Sequence, residues 1–228
     1  MPPAMTCKTK PELAEAMLAA VVKAQSLRCR WVVADEAFGC DPDLLDGVAR
    51  LGLWYVAAVP HTTRVWDVRP ATHVPMWRGR GRQPPQPRLV AGAPDARPVP
   101  AVATALPPGA WSRQTLTEGS QGPRVAEFAA CRVIAVRDAL PGPDVWLVRR
   151  RHPETGELKT SRCHAPADTP LATQVRLSGM RWPIETCFAD GKPLLGMGDD
   201  AVRSWAGWPH HLTWVILAHF FVVRRHLR

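Results

Sequence analysis

Two short apolar runs, each preceded by a helix pattern, restrict the fold of this chain more than any other feature. The runs are Trp31–Ala34 and Trp54–Val59; Asp35 follows the first and Pro60 follows the second. Their length and continuous apolar character predict strands that are buried on both faces. Helix, strand, helix and strand in succession form an α/β unit, in which ligands gather at the carboxyl ends of the strands.

The two helices of this unit have distinct start and stop signals. Thr9 opens a capping-box pattern with a proline in the first turn, which predicts a helix that continues to about Gln25. Asp41 caps the second helix, which Gly52 ends. The apolar positions expected to face inward are Leu13, Met17 and Val21 in the first helix and Leu44, Leu45, Val48 and Leu51 in the second.

Asp35 stands where the first predicted strand ends, and Gly39 follows four residues later. An acid at this position suits a ligand site at the carboxyl edge of a sheet. The structural alternative is that Asp35 caps a short helix or forms a turn. Spacing alone leaves both interpretations open.

A second acidic position lies near the C-terminus, between two cations. Arg181 and Glu185 are four residues apart and Lys192 lies two turns further on, so a helix places all three on nearly the same face. Such a face suits a divalent cation and the phosphates beside it. The alternative is a solvated ion pair on a surface helix.

The spacing of Arg181, Glu185 and Lys192, together with the Val202–Trp205 and Gly207–Thr213 segments that follow, resembles the C-terminal signature of bacterial insertion-sequence transposases of the Asp-Asp-Glu class. That family has a ribonuclease H-like fold. Its pattern carries a Tyr three residues before the Arg, where this chain has Ser178. The resemblance covers most of the chain outside a long middle segment.

The resemblance implies a role for each of these residues. Glu185 corresponds to the third metal-binding carboxylate and Asp35 to the second, while Arg181 and Lys192 contact DNA. The implied cofactor is Mg²⁺ or Mn²⁺ in a two-ion site, and the implied reaction is cleavage at the element's end followed by strand transfer into target DNA. The implied partner is double-stranded DNA, both transposon ends and target.

The first acid of the family triad has no counterpart, because it belongs to a strand upstream of the helix that starts near Thr9. We therefore expect an N-terminally truncated transposase with an incomplete ribonuclease H-like core, inactive by itself. The Trp31–Ala34 strand would lose a neighbour and expose an apolar edge, which predicts self-association.

From Pro60 to Pro123 the composition changes, since this span holds twelve of the 24 prolines and a series of arginines. Arg78, Arg80 and Arg82 lie in a glycine- and proline-rich tract that predicts a mobile, extended and cationic segment. Its arginines contact DNA in one interpretation and belong to a solvated linker in the other. Regular structure is expected again from Arg124, with a hairpin formed by Val145–Arg150 and Leu158–Cys163.

These elements predict three domains: the first part of the core at 1–60, an inserted, partly β module at 61–168, and C-terminal core helices at 169–228. Pro183 is expected to begin the helix that carries Glu185. The last helix is expected to be buried, because its apolar run is too short to span a bilayer. The inward positions of this last helix are Leu212, Val215, Ile216, His219 and Val223.

The remaining features concern location and partners. The formal net charge of +9 suits a polyanionic partner. Six cysteines without a Cys-x-x-Cys pair predict reduced thiols in a cytoplasmic, nucleoid-associated protein, and no signal peptide is predicted. The alternative function is a non-catalytic DNA-binding remnant that regulates a full-length transposase. An RNA-associated basic protein is a third interpretation, with no aromatic ladder to support it.

Overall fold

The chain divides into two compact units, described here from a computed structural model that covers residues 7–76, 79, 86–119, 122–180, 182–198 and 204–226. Residues 117–119, 122–124, 182, 183 and 226 contribute backbone only. We call Thr9–Gly179 the sheet unit. The second unit joins Met1–Lys8 to Met180–Arg228, and we call it the helical unit.

The first helix of the sheet unit, α1 (Lys10–Ala24), begins at the predicted cap. The Thr9 side chain accepts a hydrogen bond from the Glu12 backbone N–H, and the Glu12 carboxylate accepts one from the Thr9 N–H. The inward face was predicted one position too early, because Ala14, Leu18 and Val22 pack on the core. The side chains of Leu13 and Met17 are exposed.

The predicted α/β unit is confirmed. Strand β1 (Trp31–Ala34) is followed by a single helical turn, α2 (Glu36–Gly39), then by α3 (Pro42–Arg50) and strand β2 (Trp54–Val59). The two strands pair in parallel, with Trp31 opposite Trp54 and Ala34 opposite Ala57. Leu44, Leu45 and Val48 of α3 are buried against β2, as their spacing predicts. Burial on both faces holds for most of β2, whereas β1 is only half-buried.

The proline- and arginine-rich span contains more regular structure than its sequence predicts. Its strands are β3 (Arg64–Trp66), β4 (Thr72–His73), β5 (Arg88–Leu89), β6 (Arg97–Pro98) and β7 (Ser112–Gly119), with helix α4 (Val99–Thr104) and a 3-10 turn at Pro108–Ala110. The expectation that regular structure resumes only at Arg124 is therefore wrong. Val99, Val102 and Ala103 of α4 are buried, because the helix covers the apolar face of neighbouring strands.

Three long strands complete the main sheet: β8 (Gly122–Arg137), β9 (Leu140–Arg151) and β10 (Leu158–His164). The order is β1-β2-β10-β9-β8-β3-β6, β7 pairs with β8, and β4 and β5 form a separate pair. Only β1 and β2 are parallel among the described pairs, so the fold is mixed α/β with a mixed sheet. The predicted β9–β10 hairpin is confirmed. Within the described residues β1 forms one edge of the sheet.

Helices cover both faces of this sheet. Helix α5 (Leu171–Gly179) packs Val175 and Leu177 on one face, against Phe128 and Val148. On the other face, α1 and α3 cover β1 and β2, while α4 covers β8 and β9. The sheet unit therefore has its own apolar core.

The helical unit consists of α6 (Trp182–Leu195) and α7 (Gly207–His226). Helix α6 starts one residue before Pro183, as predicted. The prediction of a buried last helix is wrong: Val215 is buried, but Ile216 is 61% exposed and Val223 is also exposed. No helix in the described part of the chain is both long and apolar enough to cross a membrane.

Candidate active site

Asp35 lies at the carboxyl end of β1 and caps the single turn of α2. Its Oδ1 accepts a hydrogen bond from the Phe38 backbone N–H, with 3.2 Å between N and O. The helix-cap interpretation of Asp35 is confirmed. Because a cap uses one carboxylate oxygen, the ligand interpretation is compatible with it and stays a prediction. Within the described residues no hydrogen bond to its second oxygen, Oδ2, occurs.

Gly39 allows the turn of α2, which follows Asp35, to pack directly on the backbone of β2. A Cβ atom added to Gly39 would lie 1.8 Å from the backbone oxygen of Ala58 in β2, so any side chain would push the turn away from the sheet. The Gly39 N–H donates to the Asp35 backbone oxygen at 2.8 Å, which closes the turn. Packing against β2 thus gives a structural reason for a glycine four residues after Asp35.

A buried arginine binds the far end of the same turn. Arg162 of β10 is 5% exposed, and its Nη2 donates to the Gly39 carbonyl oxygen at 2.7 Å. Burial lowers the pKa of Arg162, which nevertheless stays charged because the ordinary value is so high. Only its position in the predicted return strand could have pointed to this residue, and strand position alone does not distinguish a buried arginine from an exposed one.

Next to Arg162 lies a second ionic group that joins α3 to the sheet. Arg137 of β8 donates two hydrogen bonds to Asp46 of α3, from Nε at 2.9 Å and from Nη2 at 2.8 Å. The hydrogen bonds from Arg137 lower the pKa of Asp46, while burial raises the pKa of the neighbouring Tyr55. The Asp46 carboxylate is bound by Arg137, whereas Arg162 donates to the carbonyl oxygen of Gly39.

The other predicted acid belongs to the helical unit. Glu185 lies in the first turn of α6 and Lys192 in its last turn, and both side chains are exposed. Seven residues along a helix bring them to the same side, about 10 Å apart along the axis. Arg181, which the spacing predicts on the same face, lies outside the described residues, as do Arg78, Arg80 and Arg82.

The predicted acids thus occupy different units, Asp35 the sheet unit and Glu185 the helical unit. Their convergence on one site stays a prediction. Within the described ranges no group of three or more His, Cys, Asp or Glu side chains is gathered for a metal. The donor chemistry still fits Mg²⁺, which binds through one or two carboxylates together with water and substrate phosphate. Oδ2 of Asp35 is a carboxylate oxygen of this type.

A comparison with protein families gives a match to the first half of the chain. A family model described as DDE superfamily endonuclease matches residues 1–123, more than half of the 228 residues. The match contains Asp35 and Gly39 but ends before the Arg181–Lys192 segment that carries the transposase resemblance. No curated protein matches the chain.

Proposed function

This chain belongs to the DDE superfamily of endonucleases, and we propose that it is the catalytic region of an insertion-sequence transposase that cleaves and joins DNA. Endonucleases of this superfamily act on DNA and generally use divalent metal ions. The observation that carries the proposal is the position of Asp35, at the carboxyl end of a parallel strand within the matched residues. We further propose that the sheet belongs to a ribonuclease H-like core interrupted by an insertion at 61–168.

We assign the metal-binding carboxylates to Asp35 and Glu185. Two divalent ions, Mg²⁺ or Mn²⁺, would supply activation of the attacking oxygen and stabilisation of the leaving oxygen. Asp35 presents its carboxylate from a turn fixed on β2, with Oδ1 held by the Phe38 N–H. Glu185 presents an exposed carboxylate from the first turn of α6.

Phosphate binding falls to the cations of the chain. Lys192 is exposed on the same side of α6 as Glu185, so it suits a phosphate beside the bound ions. The spacing of Arg181 predicts the same face, and we assign Arg78, Arg80 and Arg82 to further contacts with the DNA backbone. Arginine is well suited to this role because its planar guanidinium binds phosphate through two hydrogen bonds.

A second candidate is a DNA-binding protein without nuclease activity. The formal net charge of +9 favours it, since binding to a DNA backbone requires cations and no metal site. This candidate and the first differ only in whether Asp35 and Glu185 take part in chemistry.

Substitution of the acids distinguishes the two candidates. Whatever Mg²⁺- or Mn²⁺-dependent DNA nicking the chain shows, we expect Asp35→Asn and Glu185→Gln each to lower it about 1000-fold, since each removes a metal-binding carboxylate. DNA affinity, measured by gel shift at fixed salt, should change less than about threefold, because neither acid contacts phosphate directly.

Asp41→Asn is the matched control. Asp41 also caps a helix, with its Oδ1 accepting from the Leu44 N–H at 2.8 Å, and Asn caps helices about as well as Asp. Its cleavage rate should equal that of the unmodified protein. Absence of metal-dependent cleavage in all four proteins, with DNA binding retained, would support the non-catalytic candidate.

A further inference from the structure

The Arg162 guanidinium is buried in the sheet unit and forms no ion pair within the described residues. Within the described residues its one hydrogen bond goes from Nη2 to the Gly39 carbonyl oxygen, and its buried Nε has no partner. The nearby carboxylate of Asp46 is bound by Arg137. Burial of a charged group that has few hydrogen-bond partners is costly, so Arg162 lowers the stability of the fold relative to an apolar residue of similar size.

The bond from Arg162 ends on the turn that carries Asp35. The Gly39 oxygen accepts from Arg162, and the Gly39 N–H donates to the Asp35 backbone oxygen at 2.8 Å. Beneath the turn, the Ala58 oxygen leaves no room for a Cβ at Gly39. Arg162 and β2 therefore hold α2 from two directions. A shift of this turn would move the backbone of Asp35 and the Phe38 N–H that orients its carboxylate.

We propose that Arg162 is a positioning residue for Asp35, which fixes the α2 turn so that the carboxylate is presented to a divalent cation. The inference rests on the proposed function for the role of Asp35. Arg162 itself touches neither metal nor DNA in this proposal. Its effect passes through a charge-assisted hydrogen bond to a backbone carbonyl, a type of bond stronger than a neutral one.

Arg149 provides a matched control from the same sheet. It is 1% exposed, its Nε also lacks a partner within the described residues, and its Nη1 donates to the Val99 oxygen at 3.0 Å and to Thr160 Oγ1 at 2.7 Å. Val99 belongs to α4, so Arg149 supports a different helix. Both arginines are buried, but only Arg162 contacts the turn of Asp35.

The experiment measures Mn²⁺ affinity of the full chain by electron paramagnetic resonance, for the unmodified protein and for Asp35→Asn, Arg162→Met, Arg162→Lys and Arg149→Met. Substitutions that disturb the support of a metal ligand weaken metal binding about 10–100-fold, and we expect this for Arg162→Met. A lysine ammonium can still donate to the Gly39 oxygen. We therefore expect Arg162→Lys to bind Mn²⁺ about tenfold more tightly than Arg162→Met does. Arg149→Met should bind Mn²⁺ within about twofold of the unmodified protein.

A second measurement follows the turn without any metal. Hydrogen exchange of the Gly39 amide, read by NMR, should be at least about tenfold faster in Arg162→Met and unchanged in Arg149→Met. Equal weakening of Mn²⁺ binding by both Met variants would overturn the proposal, because the effect would then come from general loss of stability. So would unchanged Mn²⁺ affinity and exchange in both Arg162 variants.

The Asp35→Asn variant separates this proposal from the proposed function. If Asp35→Asn binds Mn²⁺ as the unmodified protein does, the assignment of Asp35 as a metal ligand is wrong. Hydrogen exchange of the Gly39 amide then decides the role of Arg162. Faster exchange in Arg162→Met but not in Arg149→Met supports the conclusion that Arg162 fixes the turn. Equal exchange in the two variants overturns that conclusion. If Arg162→Met does not fold, the Lys variant and the same two measurements give the answer.

Discussion

The sheet unit and the helical unit differ in how far their large apolar side chains are exposed. In the sheet unit Leu45 of α3 is 1% exposed, and the strands are covered by helices on both faces. In the helical unit Leu194 of α6 is 72% exposed. Besides Leu194, the large apolar side chains that are exposed among the described residues of this unit are Met180, Ile184, Phe188, Trp205, Trp208, Trp214, Ile216, Leu217, Phe220, Phe221, Val222 and Val223.

This difference shows what an apolar pattern means in each unit. In α3 the pattern is matched by a strand that covers it, so the helix gains burial within its own unit. Helix α7 is apolar around much of its circumference, which is typical of a helix that is covered on several sides. Among the described side chains of α7, Val215 is the one that is buried. Apolar residues at helical spacing therefore occur in both units, but they are buried only where another element of the same unit packs against the helix.

Cysteine reactivity gives the largest expected contrast between the units. Cys163 of β10 is buried, and burial raises its pKa to about 12. At pH 8 only about one Cys163 thiol in 10⁴ is therefore ionised, and the thiolate is the reactive form. Cys187 of α6 is exposed. We expect iodoacetamide to modify Cys187 at least about 1000-fold faster than Cys163 in the native protein, as measured by peptide mass spectrometry.

The contrast in reactivity should disappear in denaturant, where both thiols meet solvent. As pH rises toward 12, native Cys163 should gain reactivity, because its thiolate forms only near that pH. Similar native rates for the two cysteines at pH 8 would show that β10 is not protected in the sheet unit.

A matched pair of leucine truncations gives the next largest contrast. Leu45→Ala should lower the free energy of unfolding by about 3 kcal/mol, because it removes buried methyl groups and leaves a cavity. Leu194→Ala should change it by less than about 0.5 kcal/mol, because the side chain is exposed. Urea unfolding followed by tryptophan fluorescence measures both. A loss at Leu194 equal to that at Leu45 would mean that α6 is covered in solution.

Self-association gives the smallest expected effect. Exposed apolar patches promote contact between molecules, and Ile216 and Phe220 lie four residues apart on exposed α7. Replacing both by Glu should weaken association about threefold or more, measured by sedimentation equilibrium. Thr213→Glu, an exposed polar position on the same helix, is the control. Unchanged association in the double variant would point instead to the open edge of β1.

Local chemistry made several elements predictable. The capping box at Thr9, the cap at Asp41 and the two apolar runs produce the α/β unit in the predicted places. Proline and arginine content was misleading for the middle span, because β3 and α4 gain their stability from contact with β8 and β9, which are remote in sequence. Propensity yields to such tertiary contacts.

Some residues of the candidate site could likewise be predicted from the sequence, and others could not. Asp35 and Gly39 were recognisable from their spacing after a strand, and the family match covers both. Arg162 was not recognisable, because it lies 123 residues from Gly39, the residue whose oxygen it binds. The roles assigned to Asp35, Glu185, Arg181 and Lys192 remain predictions from the resemblance, as do the two-ion site and the three predicted domains.

The sequence alone determined where α1, β1, α3 and β2 begin and end, because caps, prolines and continuous apolar runs act over a few residues. Tertiary structure decided the inward face of α1, the entry of the proline-rich span into the sheet and the burial of Arg162. Each of these depends on which surface another part of the chain supplies. The free energy gained by burial depends on both surfaces that come into contact, because it scales with the apolar area removed from water. A local sequence pattern specifies only one of these surfaces.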